Sequence, residues 1–182
     1  WLWAQEIRSD MIFVGFTLGS CIALQYALDY PEEVKGLVLM TVAMRSKKRG
    51  PDALNMRLEA VRSPEAYQTW LEYQRHAMMF VDPDLRERLM ECHEKVGPIS
   101  QHDDLVVIDK FDVTGRIGDL KAPLVLIRGL DDPGAPPEYE LEIHEAVPGS
   151  KYIKLSGAGH FPMAEKPEEV NRAIEELQAR VG

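Results

Sequence analysis

A short apolar run followed by two closely spaced glycines constrains the fold of this chain more than any other feature. Residues 11–14 are all apolar, the segment Gly15-Phe16-Thr17-Leu18-Gly19 follows at once, and apolar residues then recur at helical spacing up to Asp29. This order predicts a strand, a sharp turn and a helix, with Thr17 raised above the edge of a sheet. We expect glycine on both sides of Thr17 because a β-carbon would collide where strand and helix pack closely.

Further apolar runs predict that the first strand belongs to a parallel sheet. Residues 36–40 form a second run, which follows the first after a helix that ends at Tyr30-Pro31. A strand, a helix and a second strand within about 30 residues form a right-handed βαβ unit. Residues 123–129 and 151–155 predict two later strands, and a closing helix opens at Lys166-Pro167 and ends near Val181.

The segment between the second and third strands is predicted to be helical. Ser63-Pro64 and Asp82-Pro83 are helix start signals within it. The predicted helices are roughly Asp52 to Arg62, Pro64 to Phe80, Pro83 to Val96 and Asp103 to Lys110. We therefore divide the chain into a core, residues 1–43 and 111–182, and a helical insertion, residues 44–110.

The acidic composition excludes one class of partner. The 182 residues carry 21 basic and 30 acidic side chains, a formal net charge of −9, whereas binding of nucleic acid requires a basic face. No apolar run approaches the roughly 20 residues that span a bilayer, so we expect no contact with a membrane. Cys21 and Cys92 form no paired motif, which favours a cytoplasmic location.

The histidines of the helical insertion do not indicate a metal site. His76, His93 and His102 follow none of the spacings that are typical of metal ligands. We interpret them as structural or surface residues, and we predict neither a metal nor a cofactor.

Two loops after the late strands carry the remaining candidate residues. Asp131 and Asp132 follow the third strand, where either one could also cap the helix predicted from Pro137. His160 follows the last strand in a glycine-rich loop, whose freedom would let the imidazole reach Thr17. A hydroxyl, a carboxylate and an imidazole are the groups that nucleophilic acyl transfer requires.

These motifs, in this order along the chain, resemble those of the α/β-hydrolases, in which the strand, turn and helix form the nucleophile elbow. The resemblance is to the carboxyl-terminal part of capped members such as esterases and proline iminopeptidases. It implies an α/β fold in which parallel late strands are flanked by helices. It also implies a helical cap over residues 44–110 and the absence of the early strands, which precede the elbow in the family.

The resemblance assigns a role to each candidate residue. Thr17 takes the nucleophile position, where the family usually has serine, and His160 takes the position of the general base. The backbone N–H of Leu18 would be one donor of the oxyanion hole.

The acid of the predicted triad is Asp132 or Asp131. The family places its acid three residues after a glycine that ends the strand, with a proline four residues further on. Asp132 satisfies this pattern with Gly129 and Pro136, so we prefer it to Asp131.

The sequence therefore predicts a hydrolase of a small-molecule ester, lactone, amide or similar acyl substrate that acts through Thr17, His160 and Asp132. We expect weak activity from this chain alone, because threonine is β-branched in a strained turn and the strands that carry a second oxyanion donor are missing. The alternative is a catalytically silent protein or fragment with this fold that serves binding or dimer assembly.

The first strand predicts a partner. Without earlier strands, residues 11–14 would form a bare apolar edge, which a second copy of the chain or a complementing amino-terminal fragment would cover. A helix tail over residues 1–7 could also contribute to this cover. The chain starts at Trp1 rather than Met, which predicts a fragment, a processed chain or a trimmed chain.

Overall fold

Four parallel strands form the centre of the fold. A computed structural model describes residues 2–7, 9–45 and 58–182. The strands are β1 (Met11–Phe16), β2 (Val34–Met40), β3 (Leu124–Gly129) and β4 (Lys151–Leu155). They pair in the order β1-β2-β3-β4, and every pair is parallel. The predicted α/β fold with parallel strands is confirmed.

Helices flank this sheet and fill the segment between β2 and β3. They are α1 (Leu18–Asp29), α2 (Pro64–Ala77), α3 (Pro83–Lys110), α4 (Glu138–Ala146), α5 (Pro162–Glu165) and α6 (Pro167–Val181). The bounds predicted for the elbow helix and for the closing helix are confirmed. Within residues 2–7, the described part of the predicted helix tail, the structure has only a 3-10 turn, Trp3–Gln5. Most of the helix predicted over residues 52–62 falls outside the described residues.

The central strands are apolar on both faces because helices cover both sides of the sheet. Alternate residues of β2 point to opposite faces. Leu37 and Leu39 pack into one core cluster with residues of α1 and α4, whereas Val38 and Met40 pack into a second cluster with residues of α6. A β-carbon on Gly36 would lie only 2.9 Å from the Leu177 side chain, so glycine lets α6 pack closely on β2.

The strand β1 lies at the edge of the sheet, as predicted. Among the described residues its only strand partner is β2. Val14 is 48% exposed and Ile22 on α1 is 59% exposed. Edge strands with exposed apolar side chains are prone to pair with further polypeptide.

The helices of the insertion begin at the predicted signals. The Ser63 hydroxyl accepts a hydrogen bond from the Ala66 amide at the start of α2, and the Asp82 carboxylate accepts two from the first turn of α3. We predicted separate helices for residues 83–96 and 103–110. The backbone of α3 is non-helical at Gly97, with φ 76° and ψ 170°, so α3 consists of two helices that meet at a kink there. The predicted end of the first helix at Val96 is confirmed, whereas the second helix begins earlier than Asp103, at Pro98.

The contacts between the insertion and the core include a bridge and an apolar cluster. Arg45 and Asp112 form an isolated antiparallel bridge, which brings the two ends of the insertion together near its predicted boundaries. Leu71, Met78 and Met90 of the insertion form a third apolar cluster with Phe161, which follows β4. The assignment of this insertion as a cap stays a prediction.

The two glycines around Thr17 have different surroundings. A β-carbon on Gly15 would lie 2.6 Å from the Ser20 Cα atom, which explains the glycine there. The same prediction for Gly19 is wrong in this structure, because a β-carbon there would have no described atom within 4 Å apart from its chain neighbours and the backbone of its own helix.

We predict opposite effects of alanine at these two positions. Gly15→Ala should lower the free energy of unfolding by about 1–3 kcal/mol through overpacking. Gly19→Ala should leave it unchanged or raise it by about 0.5–1 kcal/mol, because Gly19 lies inside a helix. Urea unfolding of the two variants measures both values, and equal destabilisation would contradict this packing.

Candidate active site

The turn residue Thr17 has a backbone conformation that threonine rarely adopts. Its φ is 48° and its ψ is −112°, and α1 begins at the next residue. Non-glycine residues in such sparsely populated conformations cost about 1–3 kcal/mol each and are concentrated at functional sites. The Thr17 side chain makes no capping hydrogen bond to α1, so its hydroxyl is not used to stabilise the helix.

Hydrogen bonds to the end of β2 hold this strained turn. The carbonyl oxygen of Met40 accepts from the Thr17 amide at 3.0 Å and from the Ser20 hydroxyl at 2.9 Å. The same hydroxyl accepts from the Met40 amide at 3.2 Å, and Ser20 is fully buried. Sequence reasoning missed Ser20, although a serine on an otherwise apolar stretch of α1 was the available signal.

A buried aspartate and a histidine meet where β3 and β4 end. His160 Nδ1 lies 3.0 and 2.9 Å from the two carboxylate oxygens of Asp132. The Asp132 side chain is 2% exposed and that of His160 is 19% exposed. The Gly134 amide also donates to Asp132, at 2.6 Å. Because Nδ1–H of a neutral imidazole donates to Asp132, the lone pair lies on Nε2.

Asp131, the alternative acid, makes different contacts. Its backbone amide donates to the Ala158 carbonyl at 2.9 Å, and its carboxylate accepts from the Gly157 amide at 3.1 Å. Both bonds tie the loop after β3 to the loop that carries His160. A β-carbon on Gly129 would lie 2.1 Å from the Gly159 carbonyl oxygen, so the close approach of these loops requires glycine.

Two further carboxylates support these loops. Glu165 accepts a hydrogen bond from the Gly159 amide at 2.5 Å, and burial raises the pKa of Glu165. Glu140 is fully buried and lies 3.0 Å from the buried Arg128 guanidinium, which also donates to the Ala135 carbonyl. The ion pair therefore holds the far end of the loop that contains Asp132. Sequence reasoning missed these three side chains because their partners are distant in sequence or are backbone groups.

The electrostatics of Asp132 favour its ionised form. Burial alone would raise the pKa of Asp132, but the hydrogen bond and the charge interaction with His160 hold that pKa below the ordinary value of 3.8. The Gly134 amide and the Arg128 charge act in the same direction. A carboxylate that stays ionised can orient an imidazole and stabilise the imidazolium that proton transfer creates.

A cavity of about 170 Å³ connects this pair to the turn. Thr17 and His160 both line it, but no hydrogen bond joins them within the part of the chain that the structure describes. The rings of Phe16 and Phe161 lie with their centroids 5.3 and 5.2 Å from that of His160. These aromatic contacts restrict the orientation of the imidazole.

The insertion supplies the opposite wall of the cavity. Its polar lining residues are Tyr73, Gln74, His93 and Gln101. A β-carbon on Gly134 would lie 3.3 Å from each of three atoms: the Tyr73 hydroxyl, Asp132 Oδ1 and His160 Nδ1. The Tyr73 hydroxyl is therefore near the His160–Asp132 pair. Our interpretation of His93 as a structural or surface residue omitted its place on this wall.

Leu18, whose amide we predicted to be an oxyanion donor, directly follows Thr17. Leu18 is the first residue of α1, so its N–H has no partner within the helix. The positive end of the helix dipole adds to the attraction of negative charge at this point.

The described residues contain no metal cluster and no membrane span. Within residues 2–7, 9–45 and 58–182, no three histidine, cysteine or acidic side chains are grouped to hold an ion. No helix in these ranges has the length and apolar character needed to cross a bilayer.

Comparison with known sequences identifies the family. The chain matches the profile of the Alpha/beta hydrolase family over residues 3–173. It belongs to that family. A hydrolase of 2-hydroxy-6-oxo-6-phenylhexa-2,4-dienoate from Comamonas testosteroni is 25% identical, over 92% of this chain and 62% of its own length. A putative carbamate hydrolase, RutD, from Escherichia coli is 25% identical, over 88% of this chain and 63% of its own length.

Solved structures of other α/β-hydrolases share the fold. An esterase from Thermogutta terrifontis superposes with a TM-score of 0.82 at 23% identity, over 99% of this chain and 68% of its own. A meta-cleavage product hydrolase from Pseudomonas fluorescens superposes with a TM-score of 0.80 at 22% identity, over 100% of this chain and 68% of its own. At these identities the likeness shows the fold alone. The chain spans just over three fifths of the length of the two curated relatives named above.

The lowered pKa of Asp132 in this α/β-hydrolase predicts a specific loss of stability in acid. A carboxyl whose pKa is lower in the folded state contributes stability above its unfolded pKa, and loses it as the pH falls through the folded value. Asp132→Asn should therefore show a shallower fall in the free energy of unfolding below about pH 4 than the parent. Denaturant unfolding between pH 3 and pH 7 measures this slope.

The matched control is Asp119→Asn, which removes one carboxylate at an exposed position. In this variant the free energy of unfolding should fall with decreasing pH as steeply as in the parent. An identical slope in the parent and in Asp132→Asn would contradict the account.

Proposed function

We propose that this α/β-hydrolase cleaves an ester, lactone, amide or similar small acyl substrate through Thr17, His160 and Asp132. The observation that carries the proposal is that His160, which is paired with Asp132, lines a cavity that Thr17 also lines. The strained φ of Thr17 and the free amide at the start of α1 support it. The names hydrolase and esterase among the relatives support the same reaction class.

The proposed reaction has two halves. Thr17 Oγ1 attacks the acyl carbon while His160 Nε2 takes the hydroxyl proton, and Asp132 stabilises the imidazolium. The Leu18 amide donates to the oxyanion. His160 then protonates the leaving group as its bond to the acyl carbon breaks. In the second half His160 deprotonates a water molecule that attacks the acyl-threonine ester, and the proton returns to Thr17 as the acid product leaves.

Two features support slow turnover by this chain alone. The γ-methyl of Thr17 occupies space next to the attacking oxygen, and Thr17 and His160 are not hydrogen-bonded in the described structure.

The second candidate is a catalytically silent α/β-hydrolase fold that serves binding or assembly. The exposed apolar edge of β1, with Val14 at 48% exposure, is the observation that favours it. A second copy of the chain or an amino-terminal fragment would cover this edge. For either candidate function we propose a cytoplasmic location, because Cys21 and Cys92 are both free thiols.

The prediction that separates the two candidates is a reactivity order. With p-nitrophenyl acetate, Thr17→Ser should release nitrophenol at least about tenfold faster than the parent, because serine lacks the γ-methyl and meets less strain at positive φ. Adding His160→Ala to the parent or to Thr17→Ser should abolish the release of nitrophenol. Stopped-flow absorbance measures the rates, and mass spectrometry of the peptide that contains residue 17 detects the acyl adduct.

The control is His144→Ala, which removes an imidazole hydrogen-bonded to Ser150 rather than to Asp132. This variant should keep the parent rate. Rates equal to that of buffer for the parent, Thr17→Ser and His160→Ala would contradict catalysis and favour the silent candidate.

A further inference from the structure

Two buried glutamines on the same cavity wall differ in their partners. Gln101 is 4% exposed, and its side-chain oxygen accepts from the Trp70 indole N–H at 2.5 Å while its nitrogen donates to the His93 carbonyl at 2.9 Å. Gln74 is 8% exposed and lines the same cavity. Within the described ranges, the Gln74 side chain makes no hydrogen bond to protein.

The Gln74 amide is not sealed inside the protein. Its oxygen and nitrogen are not among the fully buried side-chain atoms that lack a partner, so they reach the open space of the cavity. Polar side-chain atoms at buried positions are usually hydrogen-bonded, to protein or to ordered water. The amide is therefore placed for a hydrogen-bonding partner that enters the cavity beside His160.

The charge and size of the cavity restrict that partner. None of the described lining residues is lysine or arginine, so a buried carboxylate or phosphate on the ligand would have no counter-charge. The volume of about 170 Å³ is close to the roughly 150 Å³ that accommodates benzene in an engineered cavity. The cavity thus suits a small neutral group.

We propose that the Gln74 amide binds a neutral polar group of the acyl substrate, such as a carboxamide, and selects such substrates over apolar and anionic ones of the same shape. A carboxamide offers one acceptor and two donors, which complement the donors and the acceptor of Gln74. The inference rests on the proposed acyl-hydrolase function and names its substrate class.

Selectivity tests the proposal. Three p-nitrophenyl esters share one shape and differ at one end: the fumaric monoamide ester carries a carboxamide, the (E)-4-methylpent-2-enoic ester an isopropyl group, and the fumaric monoester a carboxylate. The parent should prefer the carboxamide in kcat/KM, and Gln74→Leu should lower the amide-to-isopropyl ratio about 3- to 10-fold. Differences in intrinsic reactivity between the esters cancel when this ratio is compared between the parent and Gln74→Leu.

Gln68→Leu is the matched control, because it makes the same change on the exposed face of the same helix. It should keep the selectivity of the parent. A parent without amide preference, or an unchanged ratio in Gln74→Leu, would overturn the proposal while the acyl-hydrolase function stands.

Binding gives a readout that needs no turnover. Fumaramide, a neutral diamide, should bind the parent and Gln68→Leu, and should bind Gln74→Leu at least about threefold more weakly in NMR titrations. If no ester is cleaved, this loss still supports the amide site although the hydrolase proposal fails. Absence of fumaramide binding to the parent, or equal binding to all three proteins, would overturn the site.

Discussion

The contact between the His160 imidazole and the buried Asp132 carboxylate is the interaction on which the arrangement of the site depends. It joins the loops that follow β3 and β4, and it lets an ionised carboxylate remain at 2% side-chain exposure. A buried charge is tolerated only when it is paired and hydrogen-bonded. The Gly134 amide, the Arg128 charge and the bonds from Asp131 to the second loop all serve that requirement.

The strained turn at Thr17 depends on a second set of contacts. A β-branched residue at φ 48° is unfavourable by itself. The Met40 carbonyl compensates by accepting from both the Thr17 amide and the Ser20 hydroxyl. Because β2 is buried on both faces, its end is a rigid support. The sheet thus places a hydroxyl and an imidazole on one cavity, while the insertion supplies the wall that carries Gln74.

The sequence predicted the strands, the elbow helix and the order of the site residues, because those features leave local patterns. Apolar runs, paired glycines and helix-capping signals depend on neighbours in the chain. The supporting contacts were not predictable in this way: Ser20 bonds a strand end, Arg128 meets Glu140 across a loop, and Gln74 is recognised only by the absence of a partner. Gly19 shows the converse error, since its place in the motif suggested a close contact that the structure lacks. The break inside α3 was predicted correctly from Gly97 and Pro98, but the start of its second half at Pro98 rather than Asp103 was not.

Proton NMR of the imidazole tests the central claim most directly. If Asp132 holds His160, the Nδ1 proton of His160 is shielded from exchange and gives a downfield resonance in the parent. That resonance should persist in Asp131→Asn, whose side chain still accepts from the Gly157 amide, and should disappear in Asp132→Asn. Its persistence in Asp132→Asn, or its loss in Asp131→Asn alone, would contradict the account.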